Sequence, residues 1–361
     1  MRRIFRRIVF FLYLFTVIPL CGAILSQWIS PATAWPFAFF GLAFPVLALL
    51  QVVFLLVFII LRSKAALFPA LVIVTIWTPL ILTFQLPGSS GKQETAAGQI
   101  KVTSYNVRLF DLFGWSKQKD ASAGIFKYIS DNKPDILCLQ EFLIQDPGKF
   151  PLSRIRSQFG FLPHEYIEFN STAQNRKHGL AIFSRYPIIS SGHEHFPDSR
   201  NMFIYTDIKI GNDTIRVYNN HLESIHFERD EFQWIDDQTD DKRIPGDKIS
   251  EIVHRMKSAY INRAGQSLIV KKHIRQSPFK VIVCGDFNDT PVSFTTNKIR
   301  NGLYDSFRSG GKGTGITYPN MKAPLRIDYI LHSKEMVSSG FTIGKVKFSD
   351  HRPVSCIIKI D

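Results

Sequence analysis

A mixed α/β domain built on two packed β-sheets, carried behind three membrane-spanning helices, is the architecture this sequence predicts. Three observations predict it. Residues 1–87 hold six Lys/Arg and no Asp or Glu, and the 54 residues from Ile8 to Leu61 contain no charged side chain at all. From Ile100 onward, short apolar runs alternate with helical patterns, joined both as hairpins and through helices. Several of those runs end in a carboxylate, amide or imidazole, as in "VIVCGDFNDTP" (Val281 to Pro291).

The charge-free stretch is too long for one span of about 20 residues. It breaks at "SQWISPATAWP", where Pro31 and Pro36 flank small polar residues and Trp28 and Trp35 stand as interfacial anchors would. Spans are expected at 8–28 and 37–61, then, after the basic turn "RSK" (62–64), at 65–86. No small-residue cleavage site ends the first span, which argues against a cleaved signal peptide. Arg2, Arg3, Arg6 and Arg7 and the 62–64 turn are basic, whereas the 29–36 loop is uncharged. Basic segments stay in the cytoplasm, so three spans place the N-terminus inside and the large domain outside the cytoplasm.

Residues 88–99, rich in Gly, Ser and Ala, read as a flexible linker. Residues 88–361 carry the other 38 basic residues and all 30 acidic ones. The cysteines of the domain from 100 to 361, Cys138, Cys284 and Cys356, lie in apolar strand patterns and read as buried thiols. Strands are expected at "IKVTSYNV", "ILCLQEF", "GLAIFSRYPII", "FIYTDIKI", "TIRVYNNHL", "FKVIVCGD", "RIDYILHS" and "PVSCIIKI", with helices before Pro134 and over 250–275. The acidic, aromatic stretch 223–248 is longer than an ordinary connection.

Alternate residues of a strand share a face, so Asp286 and Asn288 aim together while Phe287 turns to the core. Taken alone, an Asp-x-Asn turn before a proline is as readily a capping motif. The pattern recurs, however. Asn106 and Glu141 close apolar runs, Asn219 and His221 stand two apart, Asp328 is flanked by apolar neighbours, and Asp350 and His351 precede another strand. Carboxylates beside buried strands are costly unless paired or bound to a cation, so this set implies a shared polar centre.

In order and spacing, Asn106, Gln140-Glu141, Asn219-x-His221, Gly285-Asp286-Phe287-Asn288, Arg326-Ile327-Asp328-Tyr329 and Ser349-Asp350-His351 closely resemble the endonuclease/exonuclease/phosphatase superfamily, which includes DNase I and the neutral sphingomyelinases. The resemblance covers about 100–361. It implies a four-layered α/β sandwich and Mg²⁺- or Mn²⁺-dependent phosphoester hydrolysis. Hard oxygen donors suit those ions, and no cysteine or histidine cluster shows zinc spacing. By resemblance Glu141 is the principal metal ligand, with Asn106 and Asp350 in support. Asp286 orients or deprotonates the attacking water, and Asn288 binds a phosphate oxygen. Asp328 and His351 form a pair that holds positive charge against the phosphate, and His221 donates to the phosphate or the leaving oxygen. Thr317 and Tyr318 lie where the family often has a Thr/Ser–Phe/Tyr pair. Arg108 replaces an aspartate found in some abasic-site enzymes, and His221 replaces their Tyr, so the chain sides with the DNase I and sphingomyelinase branches.

Two substrate classes fit. Nucleic acid is favoured by the basic balance, by the helix 255–275, by "QNRKH" with Arg176 and Lys177, and by Asn219 as a further contact. A phospholipid is the alternative, favoured by the bilayer anchor. Phe110, Phe113 and Trp115 suit an interface, base stacking or a local core plug. A catalytically inactive scaffold would leave the buried charges unexplained. No protein partner is predicted.

Overall fold

The computed structural model describes residues 2–86, 98–173, 175–225, 246–319 and 324–360. Most of the expected linker and of the 223–248 stretch lies outside the described residues.

Two N-terminal helices, α1 (Arg2–Leu25) and α3 (Pro36–Ile60), are long and apolar enough to cross a membrane, with the short α2 (Pro31–Ala34) in the turn between them. They run antiparallel: Tyr13 packs on Phe58 at one end, and Leu20 and Ala23 pack near Phe44 and Leu47 at the other. The expected third span over 65–86 is corrected here, because three spans are not supported. That segment splits into α4 (Leu67–Thr75) and α5 (Trp77–Thr83) around Ile76, and the pair is bent by 65°. Pro79 supplies the reason, since it has no N–H to give the Thr75 carbonyl and its ring crowds that group.

The large domain seats directly on the α1–α3 turn. Ser26 donates to the Val292 carbonyl at 3.3 Å, Asn297 donates to the Gln27 carbonyl at 2.9 Å, and the Phe39 and Tyr260 rings lie 5.6 Å apart. Past α5, Gln85 and Gly313 exchange two backbone hydrogen bonds, and Arg326 donates to the Leu82 carbonyl.

Two six-stranded mixed sheets form the domain. In one the order is β11 (Val337–Ile343), β12 (Val354–Lys359), β1 (Gln99–Asn106), β2 (Ile136–Gln145), β4 (Arg176–Ser184), β3 (His164–Ala173). In the other it is β5 (Ile188–His195), β6 (Met202–Ile210), β7 (Asp213–His221), β8 (Lys280–Asp286), β10 (Asp328–Ser333), β9 (Leu303–Asp305). Only β1–β2 and β7–β8 pair in parallel. Val102, Ile136, Ile182, Val217, Ile282, Ile330 and Cys356 fill the space between the sheets, each full burial of this kind stabilising by about 1.5–3 kcal/mol. Helices α6 (Ala121–Asn132) and α7 (Leu152–Gln158) cover the outer face of the first sheet. Helices α8 (Gly246–Arg275) and α9 (Phe294–Arg300) cover the second, completing the four layers.

The strand expected at 179–189 is in fact two. It leaves the first sheet at Ser184 and enters the second at Ile188, turning at Tyr186-Pro187, where proline cannot continue a ladder. Edge strands β3, β9 and β11 are too polar or short to announce themselves. The three domain cysteines are buried and free, while Cys21 in α1 is exposed.

Candidate active site

The site residues converge because strand parity and strand ends agree. Inner-face residues of β1 include Val102, so Asn106 faces the other sheet as well; the same parity puts Asp286 with Ile282, Asp328 with Ile330, and His221 with Val217. Register then aligns them, with His221 opposite Asp286 and Asp286 opposite Asp328. Glu141 joins them through the irregularity between Leu139 and Phe142 of β2, where its φ of 49° departs from the strand. Asp350 and His351 lie in the loop before β12, and so both reach the centre although adjacent.

At the centre, the Asn106 amide donates to Glu141 Oε1 at 3.0 Å and to Asp286 Oδ2 at 3.1 Å. His351 Nδ1 lies 3.0 Å from Asp328 Oδ2, and its Nε2 lies 3.5 Å from Asp286 Oδ2. His221 Nε2 stands 3.9 Å from both Glu141 and Asp286. The Asn288 N–H donates to Asp286 Oδ1 at 2.9 Å, while its side chain donates to the Leu222 carbonyl. Arg108 pairs with Asp350 at 3.1 Å. Behind these, Thr317 Oγ accepts from the Ile327 and Asp328 N–H groups, Ser349 donates to the Asn106 carbonyl, and the Tyr318 ring lies 4.9 Å from His351. Gly285 has φ 139°, and a Cβ there would fall 2.1 Å from the Asn220 carbonyl oxygen. Only glycine lets β7 and β8 approach closely enough to bring His221 beside Asp286.

The electrostatics follow from crowding. Burial and the Asp350 charge push the Glu141 carboxyl up. Burial raises Asp286 to about 6, with Asp328 adding to the shift and His351 and His221 opposing it. Burial disfavours charge on His351, but Asp328, Asp286 and Asp350 together hold it well above the usual imidazole range. Four carboxylates share this small volume with few cations, a donor set that fits a hard divalent ion.

Residues 103–351 match the endonuclease/exonuclease/phosphatase family. The chain belongs to that family. Residues 6–83 match a domain of unknown function, and no curated protein matches the chain. Among solved structures, the Beutenbergia cavernae endonuclease/exonuclease/phosphatase is 16% identical with a TM-score of 0.51, over 73% of this chain and 72% of that one. The human Nocturnin catalytic domain with bound sulfate is 17% identical at 0.51, over 74% and 97%. D. rerio TDP2 with a single-strand DNA product is 17% identical at 0.51, over 72% and 98%. All three share the fold expected from the motifs.

Within this family framework, the structure draws together Asn106, Glu141, His221, Asp286, Asn288, Asp328, Asp350 and His351. The Asn106 side chain bridges two carboxylates, and Asp350 is paired with Arg108. Asn219, expected to contact substrate, is corrected. It is fully buried, donating to the Leu139 and Ala181 carbonyls and accepting from Gln140 at 2.6 Å, so it ties the two sheets together behind the site.

Two cations of the basic helix are turned to the protein itself. Arg263 is buried 3.5 Å from Asp289 and its guanidinium lies over Tyr260, while Lys257 lies over Trp35. Arg176 and Lys177 begin β4, with Arg176 over Phe113 and Lys177 over Phe169. Phe110 is a core plug against Phe126 and Phe142, whereas Phe113 is half exposed and lies 4.7 Å from Trp115. His178 was not singled out by sequence. Burial lowers its pKa, against the pull of the Glu141 charge across the β2–β4 pair, a relationship set by register alone.

Proposed function

We propose that this family member is a divalent-metal-dependent phosphodiesterase of nuclease type, acting outside the cytoplasm. The observation that carries the reading is the line Asp328–His351–Asp286 beside Glu141 at one edge of the sandwich. A divalent ion, held by Glu141 with Asp350, would neutralise phosphate charge and acidify bound water. Asp286, raised to about 6, takes the proton of the attacking water while Asn106 and the Asn288 N–H fix its two oxygens. His351, kept charged by Asp328, faces the phosphoryl oxygens, and His221 protonates the leaving oxygen as its bond to phosphorus breaks.

A continuous rim supports nucleic acid over lipid. Asp350 is paired with Arg108, whose guanidinium lies 4.8 Å over Trp115; Trp115 meets Phe113, and Arg176 lies 5.6 Å over Phe113. Alternating rings and guanidinium groups leading from a phosphate site suit stacked bases and their backbone. The solved D. rerio neighbour holds a single-strand DNA product, in keeping with that reading. The sidedness rests on charge. The uncharged α1–α3 turn docks the domain, the basic N-terminal residues and 62–64 gather at the other end, where Arg6 donates to the Leu61 carbonyl, and the bent α4–α5 pair leads from that end back to the domain, which Gln85 meets at Gly313. A phospholipid is the second reading, because the anchor seats the domain at the membrane.

The test incubates the full chain in detergent with plasmid DNA, single-stranded oligonucleotides, sphingomyelin and inositol phosphates, with Mg²⁺ or with EDTA. Metal-dependent cleavage of the nucleic acids supports the proposal. Release of phosphocholine alone would replace it with the lipid reading, and turnover of none of them would refute both.

A further inference from the structure

The sandwich carries a second set of ligand-type side chains, far along both sheets from the catalytic centre. β3 ends the first sheet and β5 ends the second. On β5, His193 pairs with Ile204 and His195 with Met202. Residues directly opposite on neighbouring strands share a face, and Ile204 and Met202 belong to the core between the sheets. On β3, Glu168 pairs with Leu180, which also points into that core. Positions that are apolar elsewhere in this layer are therefore filled by two imidazoles and a carboxylate, contributed from both sheets.

They meet. One ligand atom from each of Glu168, His193 and His195 lies within 4.8 Å of the others. His193 Nδ1 is 3.1 Å from Glu168 Oε2, and the two imidazole centroids are 5.2 Å apart. The Tyr166 hydroxyl, 3.0 Å from His193 Nδ1 and 3.2 Å from Glu168 Oε2, adds a polar partner behind them. Bonds of about 2.0–2.2 Å to a tetrahedral ion put donor atoms about 3.4 Å apart, so small side-chain rotations close the set. Two His and one Glu, with both imidazoles exposed, are a donor set for a borderline transition ion and leave room for water as a fourth ligand. Sequence spacing alone hid this site, because "HEH" (193–195) supplies two ligands and the third comes from 25 residues upstream on the other sheet.

We infer that Glu168, His193 and His195 form a Zn²⁺-class site that straps the open edges of the two sheets together. Binding uses neutral imidazoles, so the ion replaces the contact between His193 Nδ1 and Glu168. An ion bound only by the folded state raises stability in proportion to its occupancy.

The test uses the full chain in detergent with excess Mg²⁺, which competes for the carboxylate-rich catalytic centre. Zn²⁺ is titrated by calorimetry and by thermal unfolding, against the wild type and the His193→Ala/His195→Ala variant. The wild type is expected to bind one Zn²⁺ more than the variant, and Zn²⁺ is expected to raise its melting temperature more. Glu168→Gln is expected to weaken the extra site tenfold or more, at least the effect of losing a supporting contact to a metal ligand. Equal stoichiometry and equal thermal response in wild type and variant overturn the inference. If the double variant does not fold, His195→Gln at its exposed position carries the same comparison, and a wild type that gains no site over it is equally fatal. Co²⁺ gives a second readout: a visible absorption band in the wild type that is lost in the variant supports the site, and identical spectra refute it.

Discussion

Asp286 and Asp328 face each other directly across the β8–β10 pair, and His351 lies between them, 3.5 Å from one carboxylate and 3.0 Å from the other. The two aspartates thus have different work. Asp328 meets Nδ1 and helps keep the ring charged, whereas Asp286 meets Nε2 on the Glu141 side. Replacing Asp328 with Asn keeps the shape and removes the charge. Turnover is expected to fall by about 10²–10⁴-fold, the usual weight of a proton-transfer partner, with the circular dichroism spectrum unchanged. Near-wild-type kcat in Asp328→Asn would contradict the assignment.

Asn219 is expected to behave oppositely. Asn219→Ala leaves the Leu139 and Ala181 carbonyls and the Gln140 amide without their partner, at about 1–3 kcal/mol for each buried group stranded. Urea unfolding should report a clear loss of stability. Substrate KM should stay constant for the folded fraction, since the side chain has no path to the opening.

The aromatic rim separates long substrates from short ones. Trp115→Ala and Phe113→Ala each remove a surface on which a base can stack, worth about 1–3 kcal/mol. Cleavage of single-stranded oligonucleotides should show KM raised several-fold or more. Hydrolysis of a small chromogenic phosphodiester should be untouched. If both substrates respond alike, the rim is structural.

Gly41 of α3 fixes the domain to its anchor. A Cβ there would lie 2.5 Å from both Ser26 Oγ and the Val292 carbonyl oxygen. Val292 sits six residues beyond Asp286, so displacing it disturbs the segment that carries Asn288. Gly41→Leu should increase proteolytic cleavage between anchor and domain and lower kcat in the same preparation. Unchanged cleavage and kcat would show that the docked contact has no bearing on the site.

His332 offers a pH test far from the centre. It is buried, its Nδ1 donates to the Ser333 carbonyl, its Nε2 meets Ser338 Oγ, and burial holds its pKa below 6.5. The folded state therefore binds fewer protons than the unfolded state between the lowered value and 6.5, so stability rises with pH across that window. Its contribution is complete above 6.5 and is lost as pH falls below it. Melting temperatures measured between pH 7 and pH 5 should decline, and His332→Gln should flatten that part of the curve.

Much of this molecule was legible in its residues. The uncharged run from Ile8 to Leu61 announces, through composition, helices long and apolar enough to cross a membrane, and composition survives any folding detail. The order of Asn106, Glu141, His221, Asp286, Asp328 and His351 marks the family because phosphoester chemistry needs those groups at strand ends. Less was legible where a neighbour decides the outcome. Pro79 bends a segment that hydropathy alone reads as one span. Asn219 follows the same i,i+2 pattern as His221 yet lies one step deeper, where the Leu139 and Ala181 carbonyls and the Gln140 amide meet it.

The sequence by itself determined which side chains are available and how they alternate along each strand, because side-chain period is a local property. Tertiary structure decided which of them meet, since register across β7, β8 and β10 aligns residues more than 100 positions apart. It also decided that Lys257 and Arg263 of α8 turn to Trp35 and Asp289, that Arg108 pairs with Asp350, and that His193 and His195 meet Glu168. Those outcomes depend on distances between separate elements, which no spacing along the chain encodes.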